Sequence, residues 1–146
     1  MPTQHPALDA LRGQVQAAAA QRTPLAIVAG GSKAFHGERC TGERLDPRAY
    51  AGIVDYAPTE LVITARCGTP LAELEAAVAA ERQMLPFEPP HFAAGGARAT
   101  LGGAVAAGLA GPRRVAAGSL RDFVLGASLL DGRGEVLSFG GRVMKN

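Results

Sequence analysis

Apolar positions in residues 6–22 recur at helical spacing, with Leu8, Leu11, Val15 and Ala18 on one face. Pro6 suits a first helical turn and Thr23-Pro24 stops the run, so the pattern predicts a helix over 6–22. The period then changes. Residues 25–28, Leu-Ala-Ile-Val, form an apolar run of strand length, and the polar residues 38–49 read as a loop. Residues 52–55 and 61–64 read as two further short strands, separated by a turn at Ala57-Pro58. A second helix opens with Thr69 as N-cap and Pro70 at the first helical position, and Leu71, Leu74 and Val78 line its buried face. Three prolines and two glycines make 85–96 a connecting loop, and 101–109 suits a short helix. The last pattern is a hairpin: strand 123–130, the turn Asp131-Gly132-Arg133-Gly134, and strand 135–139.

With 146 residues and neither a repeat nor a linker, the chain reads as one mixed α and β domain over 1–146. Apolar residues make up 47% of it, which suits a globular protein and excludes disorder. The formal charge of +2 is too small to point to nucleic acid, and Arg98, Arg113 and Arg114 read as solvated surface. Cys40 and Cys67 have neither metal-ligand spacing nor other cysteines to pair with, so no metal site is expected and both read as free thiols of a cytoplasmic protein. Cys40, in a polar loop, is expected to react before Cys67, which lies between a strand and a helix start. The first residues lack a basic region followed by an apolar one, and no apolar run reaches membrane-spanning length. At most, membrane association would be peripheral.

Three glycine clusters lie far apart: Gly30-Gly31, Gly102-Gly103, and Gly108 through Gly118. Glycine inside an element costs about 1 kcal/mol relative to alanine, so each cluster needs a reason. In the first, Ala-Gly-Gly-Ser-Lys follows directly on a strand. Either it is a plain turn, or its successive backbone N–H groups converge on a phosphate. In the second, Thr100 can cap a helix whose second and third residues are Gly102 and Gly103. Free N–H groups at that helix start would form an anion site; close packing on a sheet also calls for small residues, but two glycines confined to the first turn favour the anion reading. Gly118 to Asp122, Gly-Ser-Leu-Arg-Asp, adds a third small-then-polar turn. Neither the dinucleotide fingerprint G-x-G-x-x-G nor the P-loop order Gly-Lys-Ser/Thr is present in the first cluster. His5, His36 and His91 have no partners at catalytic spacing, so no catalytic residue is assigned.

The stretches Ala-Gly-Gly-Ser-Lys-Ala-Phe-His-Gly, Thr-Ala-Arg-Cys-Gly-Thr-Pro-Leu-Ala-Glu-Leu and Leu-Pro-Phe-Glu-Pro-Pro occur in that order. They are followed by Ala-Thr-Leu-Gly-Gly-Ala-Val-Ala-Ala-Gly-Leu-Ala-Gly-Pro-Arg-Arg, Gly-Ser-Leu-Arg-Asp-Phe-Val-Leu-Gly and Gly-Gly-Arg-Val-Met-Lys-Asn. Together these resemble the FAD-binding subunits of bacterial glycolate oxidases, flavoproteins with the vanillyl-alcohol oxidase (PCMH) type of FAD domain. The resemblance covers about residues 24–146. It implies an α+β fold, with a small parallel β-α-β subdomain and the start of a second, mainly antiparallel sheet, and with FAD in the groove between them. It assigns the pyrophosphate to Gly30, Gly31, Ser32, Lys33 and Ala34, and a second contact to Thr100, Leu101, Gly102 and Gly103. Gly118, Ser119, Arg121 and Asp122 form a third, and Pro90 lies where the loop passes the flavin. Relatives with covalently attached flavin carry a histidine where Ser32 stands here, so the implied FAD is non-covalent.

The implied reaction is oxidation of glycolate or a similar 2-hydroxy acid, with electrons passing to an iron–sulfur subunit and other subunits of a complex. In the resembled proteins further flavin contacts and a substrate domain follow Lys145-Asn146, which puts the catalytic residues beyond this chain. A chain ending there is expected to hold little or no FAD. It is also expected to self-associate through an uncovered sheet edge bearing Val136, Leu137 and Phe139. Two alternatives remain: a D-lactate dehydrogenase or other FAD-linked oxidase, and an inactive module that only binds flavin or self-associates.

Overall fold

The structure is a computed structural model and describes residues 5–142. Helix α1 (Pro6–Gln21) forms where the amphipathic run predicts it. His5 is its N-cap, with Nδ1 accepting a hydrogen bond from the Ala7 N–H at 3.2 Å, and Leu11, Val15 and Ala18 are its buried face. Strand β1 (Leu25–Ile27) then pairs in parallel with β2 (Glu43–Leu45), Leu25 opposite Glu43 and Ile27 opposite Leu45. The segment expected to be a polar loop therefore contains a strand. In β2 only Leu45 is buried, so three residues offered no apolar period to read. The link between these parallel strands is the loop 28–42, and the accompanying helix, α1, precedes β1 instead of bridging the pair.

Strands β3 (Ile53–Ala57) and β4 (Val62–Ala65) form an antiparallel hairpin closed by the 3-10 turn Pro58–Glu60. Helix α2 (Leu71–Ala80) buries Leu71, Leu74 and Val78, as its pattern predicts. Its N-cap is Pro70, one residue later than expected, with no side-chain cap. Thr69 is engaged elsewhere: its Oγ1 donates to the Arg66 carbonyl at 2.7 Å and accepts from the Gly52 N–H at 2.9 Å. Helices α3 (Leu101–Ala107) and α4 (Arg114–Ala117) follow the proline-rich loop. The chain then forms the antiparallel pair β5 (Gly126–Leu130) and β6 (Val136–Gly140). Parallel and antiparallel pairs beside helices make the fold α+β, as expected.

Two apolar clusters hold these parts together. Leu71, Phe87, Ala99, Ala104, Ala110 and Leu120 form one, with Leu85 and Phe123 against it. Leu11, Val15 and Leu45 form the other, joined by Leu25, Tyr50 and Leu130. Leu130 ties the last hairpin to α1, and Arg12 Nε donates to the Gly134 carbonyl at 3.1 Å beside it. Strand alternation therefore turns Leu130 and its partner Val136 inward. Val136 is half-buried and so departs from the expected uncovered set, whereas Leu129, Leu137 and Phe139 are exposed on the other face. Residues 143–146, part of one resembled stretch, lie outside the described residues.

The segments entering α2 and α3 cross as a backbone bridge. The Leu71 N–H donates to the Ala99 carbonyl at 2.9 Å, the Leu101 N–H to Thr69 at 2.8 Å, and the Gly102 N–H to Cys67 at 2.8 Å. Thr69 and Leu71 are both 0% exposed at this crossing. Replacing Leu71 by alanine is expected to destabilise the fold by about 2–5 kcal/mol, read from urea denaturation, because the surrounding cluster cannot collapse into the gap. Beside the crossing, burial pushes the Cys67 thiol above its ordinary pKa, while Cys40 is exposed. A thiol reagent at neutral pH should label Cys40 first, with Cys67 approaching its rate only as the pH rises through the raised value. Equal rates at neutral pH would contradict this burial.

Candidate cofactor site

The loop after β1 carries the donors. No hydrogen-bond partner among the described residues takes the backbone N–H of Gly30, Gly31, Ser32 or Lys33. Gly31 has φ +70°, the left-handed conformation that turns successive N–H groups toward one side and that a side chain adopts only under strain. Its missing Cβ would meet nothing within 4 Å, so the glycine serves conformation there and leaves an open approach. Gly30 has a different reason. A Cβ on it would lie 1.5 Å from the Arg98 carbonyl oxygen, and its own carbonyl accepts from the Arg98 N–H at 3.1 Å. The loop is thereby fastened to the strand-like segment before α3. Ala34 stands apart from its neighbours, because its N–H closes the turn on Gly31 at 3.1 Å.

The start of α3 is built otherwise than its glycines suggest. Thr100 is its N-cap, as expected, with Oγ1 accepting from the Gly103 N–H at 3.3 Å. The N–H groups of Leu101 and Gly102 are already bound to Thr69 and Cys67 across the crossing. The N–H groups of Leu101, Gly102 and Gly103 thus all have partners within the fold. A Cβ on Gly102 would meet Cys67 Cβ at 2.8 Å and its carbonyl oxygen at 3.0 Å. Close packing is thus what this glycine provides, and in this structure three of the donors expected for a second contact are engaged within the fold.

The third turn is likewise engaged with itself. The Ser119 N–H and Oγ both donate to Asp122 Oδ2, at 2.7 and 2.8 Å, and the Gly118 N–H donates to the Arg114 carbonyl at 3.0 Å. The Ser119 hydroxyl holds the Asp122 carboxyl below the usual carboxylate range, with its backbone N–H adding to the effect. Arg121 is exposed and shares a cleft of about 360 Å³ with Arg114, Val105 and Val124. Pro90 lines a separate groove of about 600 Å³ with Val78, Met84, Phe87 and Arg113. Neither hollow includes Gly30–Lys33 or the start of α3.

Among the histidines, His5 caps α1 and His91 Nε2 lies 3.0 Å from a Glu75 carboxylate oxygen. Sequence reasoning missed the exposed aromatic pair beside the donor loop, Phe35 and Phe92, whose ring centroids are 5.2 Å apart. Phe35 lies within the first resembled stretch and Phe92 two residues beyond the one ending at Pro90, but the two are 57 residues apart, a proximity no spacing rule announces. Lys33 Nζ sits 5.9 Å from the Phe92 ring centroid, within reach of its face.

A pyrophosphate needs several converging donors and an open approach, and the 30–33 loop offers both, so the residues present fit FAD there. Comparison with known proteins bears on the cofactor itself. The chain is 58% identical over 138 residues to the glycolate oxidase subunit GlcE of Escherichia coli (strain K12), an alignment covering 94% of this chain. The same alignment covers 39% of that relative, so the chain spans well under half of its length. Residues 7–140 match the FAD binding domain family, and the chain belongs to that family, whose cofactor is FAD.

Proposed function

We propose that this chain is the FAD-holding portion, over residues 1–146, of a glycolate oxidase subunit. The carrying observation is the row of unpartnered backbone donors at Gly30–Lys33 in a chain of the FAD family that is 58% identical to such a subunit. Gly31, Ser32 and Lys33 present N–H groups to the pyrophosphate, while Gly30, fastened to Arg98, keeps the loop in place. Lys33 adds one mobile positive charge at the rim. With Ser32 in the position where a histidine would be attached, the FAD is non-covalent. When bound, FAD supplies two-electron acceptance from the hydroxyl-bearing carbon of a 2-hydroxy acid.

The same reading places the protein in the cytoplasm, with at most peripheral membrane contact, and within a complex whose other subunits include an iron–sulfur protein. No helix among the described residues is long and apolar enough to cross a membrane. The exposed hairpin face of Leu129, Leu137 and Phe139 suits burial against another polypeptide surface, a second copy included.

Two measurements test this reading. Under anaerobic conditions, glycolate added to the full-length protein should bleach its flavin absorbance; bleaching by D-lactate and not glycolate would move the substrate to the rival oxidase. In FAD titrations Gly31→Val should weaken binding at least roughly tenfold, because a β-branched residue at positive φ displaces the donors. Lys33→Ala should weaken it by only about threefold, the effect of one solvent-screened charge. A lysine variant worse than the glycine variant would show that charge, not the backbone, holds the cofactor.

A further inference from the structure

Of the five phenylalanines, Phe87 and Phe123 stack in the core and Phe139 lies on the last hairpin. The other two meet at the donor loop. Phe35 and Phe92 pack at an interplanar angle of 82°, and yet they remain 71% and 42% exposed. In such an edge-to-face pair the ring presenting its edge keeps both faces open. Leaving that much aromatic surface in water forgoes hydrophobic burial, so two such rings side by side call for a reason.

The backbone points the same way. Phe92 has φ +45°, a left-handed conformation rarely adopted by a bulky residue. Phe35 is held by the turn in which Ala34 and His36 donate to the carbonyls of Gly31 and Lys33. The two loops are joined at a second place by the Gly30–Arg98 backbone bond, so the rings are fixed relative to the donors. Phe35 lies two residues beyond Lys33, about 7 Å of chain. That is within one sugar's reach of a phosphate seated on 30–33. Lys33 stands between the two regions, over the Phe92 ring, and no carboxylate among the described residues pairs with it.

We infer that Phe35 and Phe92 form an aromatic platform that stacks a planar heteroaromatic ring of the dinucleotide whose pyrophosphate the 30–33 loop takes. The inference rests on the cofactor reading above. Both ends of FAD carry such a ring, adenine at one and isoalloxazine at the other, and the same stacking chemistry serves either. Phe35, the more exposed ring, supplies the stacking surface, and Phe92, packed against it at 82° with Lys33 over its face, sets its angle.

The test titrates the full-length protein with FAD, ADP and FMN, comparing wild type with Phe35→Ala and Phe35→Trp. Phe35→Ala should raise the FAD dissociation constant roughly tenfold, as expected for losing one stacked ring. It should weaken either ADP or FMN by a similar factor and leave the other unchanged, which identifies the ring. Phe35→Trp, which restores a flat face, should stay within about threefold of wild type. Since Phe35 is exposed, the thermal midpoint without ligand should not move. Unchanged FAD affinity in Phe35→Ala, or equal losses for ADP and FMN, would overturn the platform while leaving the cofactor reading intact. Wild-type protein that binds none of the three would overturn the cofactor reading, and the platform with it.

Discussion

Thr69 and Leu71 lie where the chain crosses itself, and the rest of the domain is positioned from that crossing. Three backbone bonds join 67–71 to 99–102, and the Thr69 hydroxyl extends the join to Gly52 and Arg66. The Gly68 N–H adds a bond to the Tyr50 carbonyl at 2.8 Å, and a Cβ there would lie 2.4 Å from the Pro47 carbonyl oxygen. Buried backbone groups left unpaired would cost about as much as lost hydrogen bonds, so their mutual pairing fixes where two helices start. Leu71 then enters one apolar cluster directly, and Tyr50, on the other side of Gly68, belongs to the second.

That crossing also decides which backbone donors are engaged within the fold. A helix start normally offers several free donors, but α3 has its first ones committed to Thr69 and Cys67, and its third to its own cap. Unpartnered donors stand instead in the loop after β1, which is tied to the same segment through Arg98. Glycines in the two places look alike in sequence but do opposite things. Gly102 closes a gap against Cys67, whereas Gly31 opens a surface.

The helices were legible because their apolar spacing survives in the structure: Leu11, Val15 and Ala18 in α1, and Leu71, Leu74 and Val78 in α2, are buried as the pattern implies. The final hairpin was legible for a related reason, since Asp131 accepts from the Arg133 and Glu135 N–H groups as its turn chemistry requires. β2 was not, because Glu43 and Arg44 face water and only its pairing with β1 makes it a strand. Thr69 was misjudged as a cap because a threonine before a proline has that local signature, while its actual partners, Gly52 and Arg66, are set by tertiary structure. For the site, the motif order located the donor loop, but which glycines leave their donors free depends on a crossing of segments some thirty residues apart, which spacing does not encode.

An exposed loop with unpartnered N–H groups is tolerable because water serves them when nothing else does. What distinguishes 30–33 from any solvated loop is that both its ends are fastened within the fold. Gly30 is wedged against Arg98, and the turn through Ala34 and His36 closes its far end. Binding to donors already held in place orders little further chain, so less of the interaction is offset by lost conformational freedom. The buried crossing, remote from the donors in sequence, thus contributes to the site by holding the segment against which the loop is fastened.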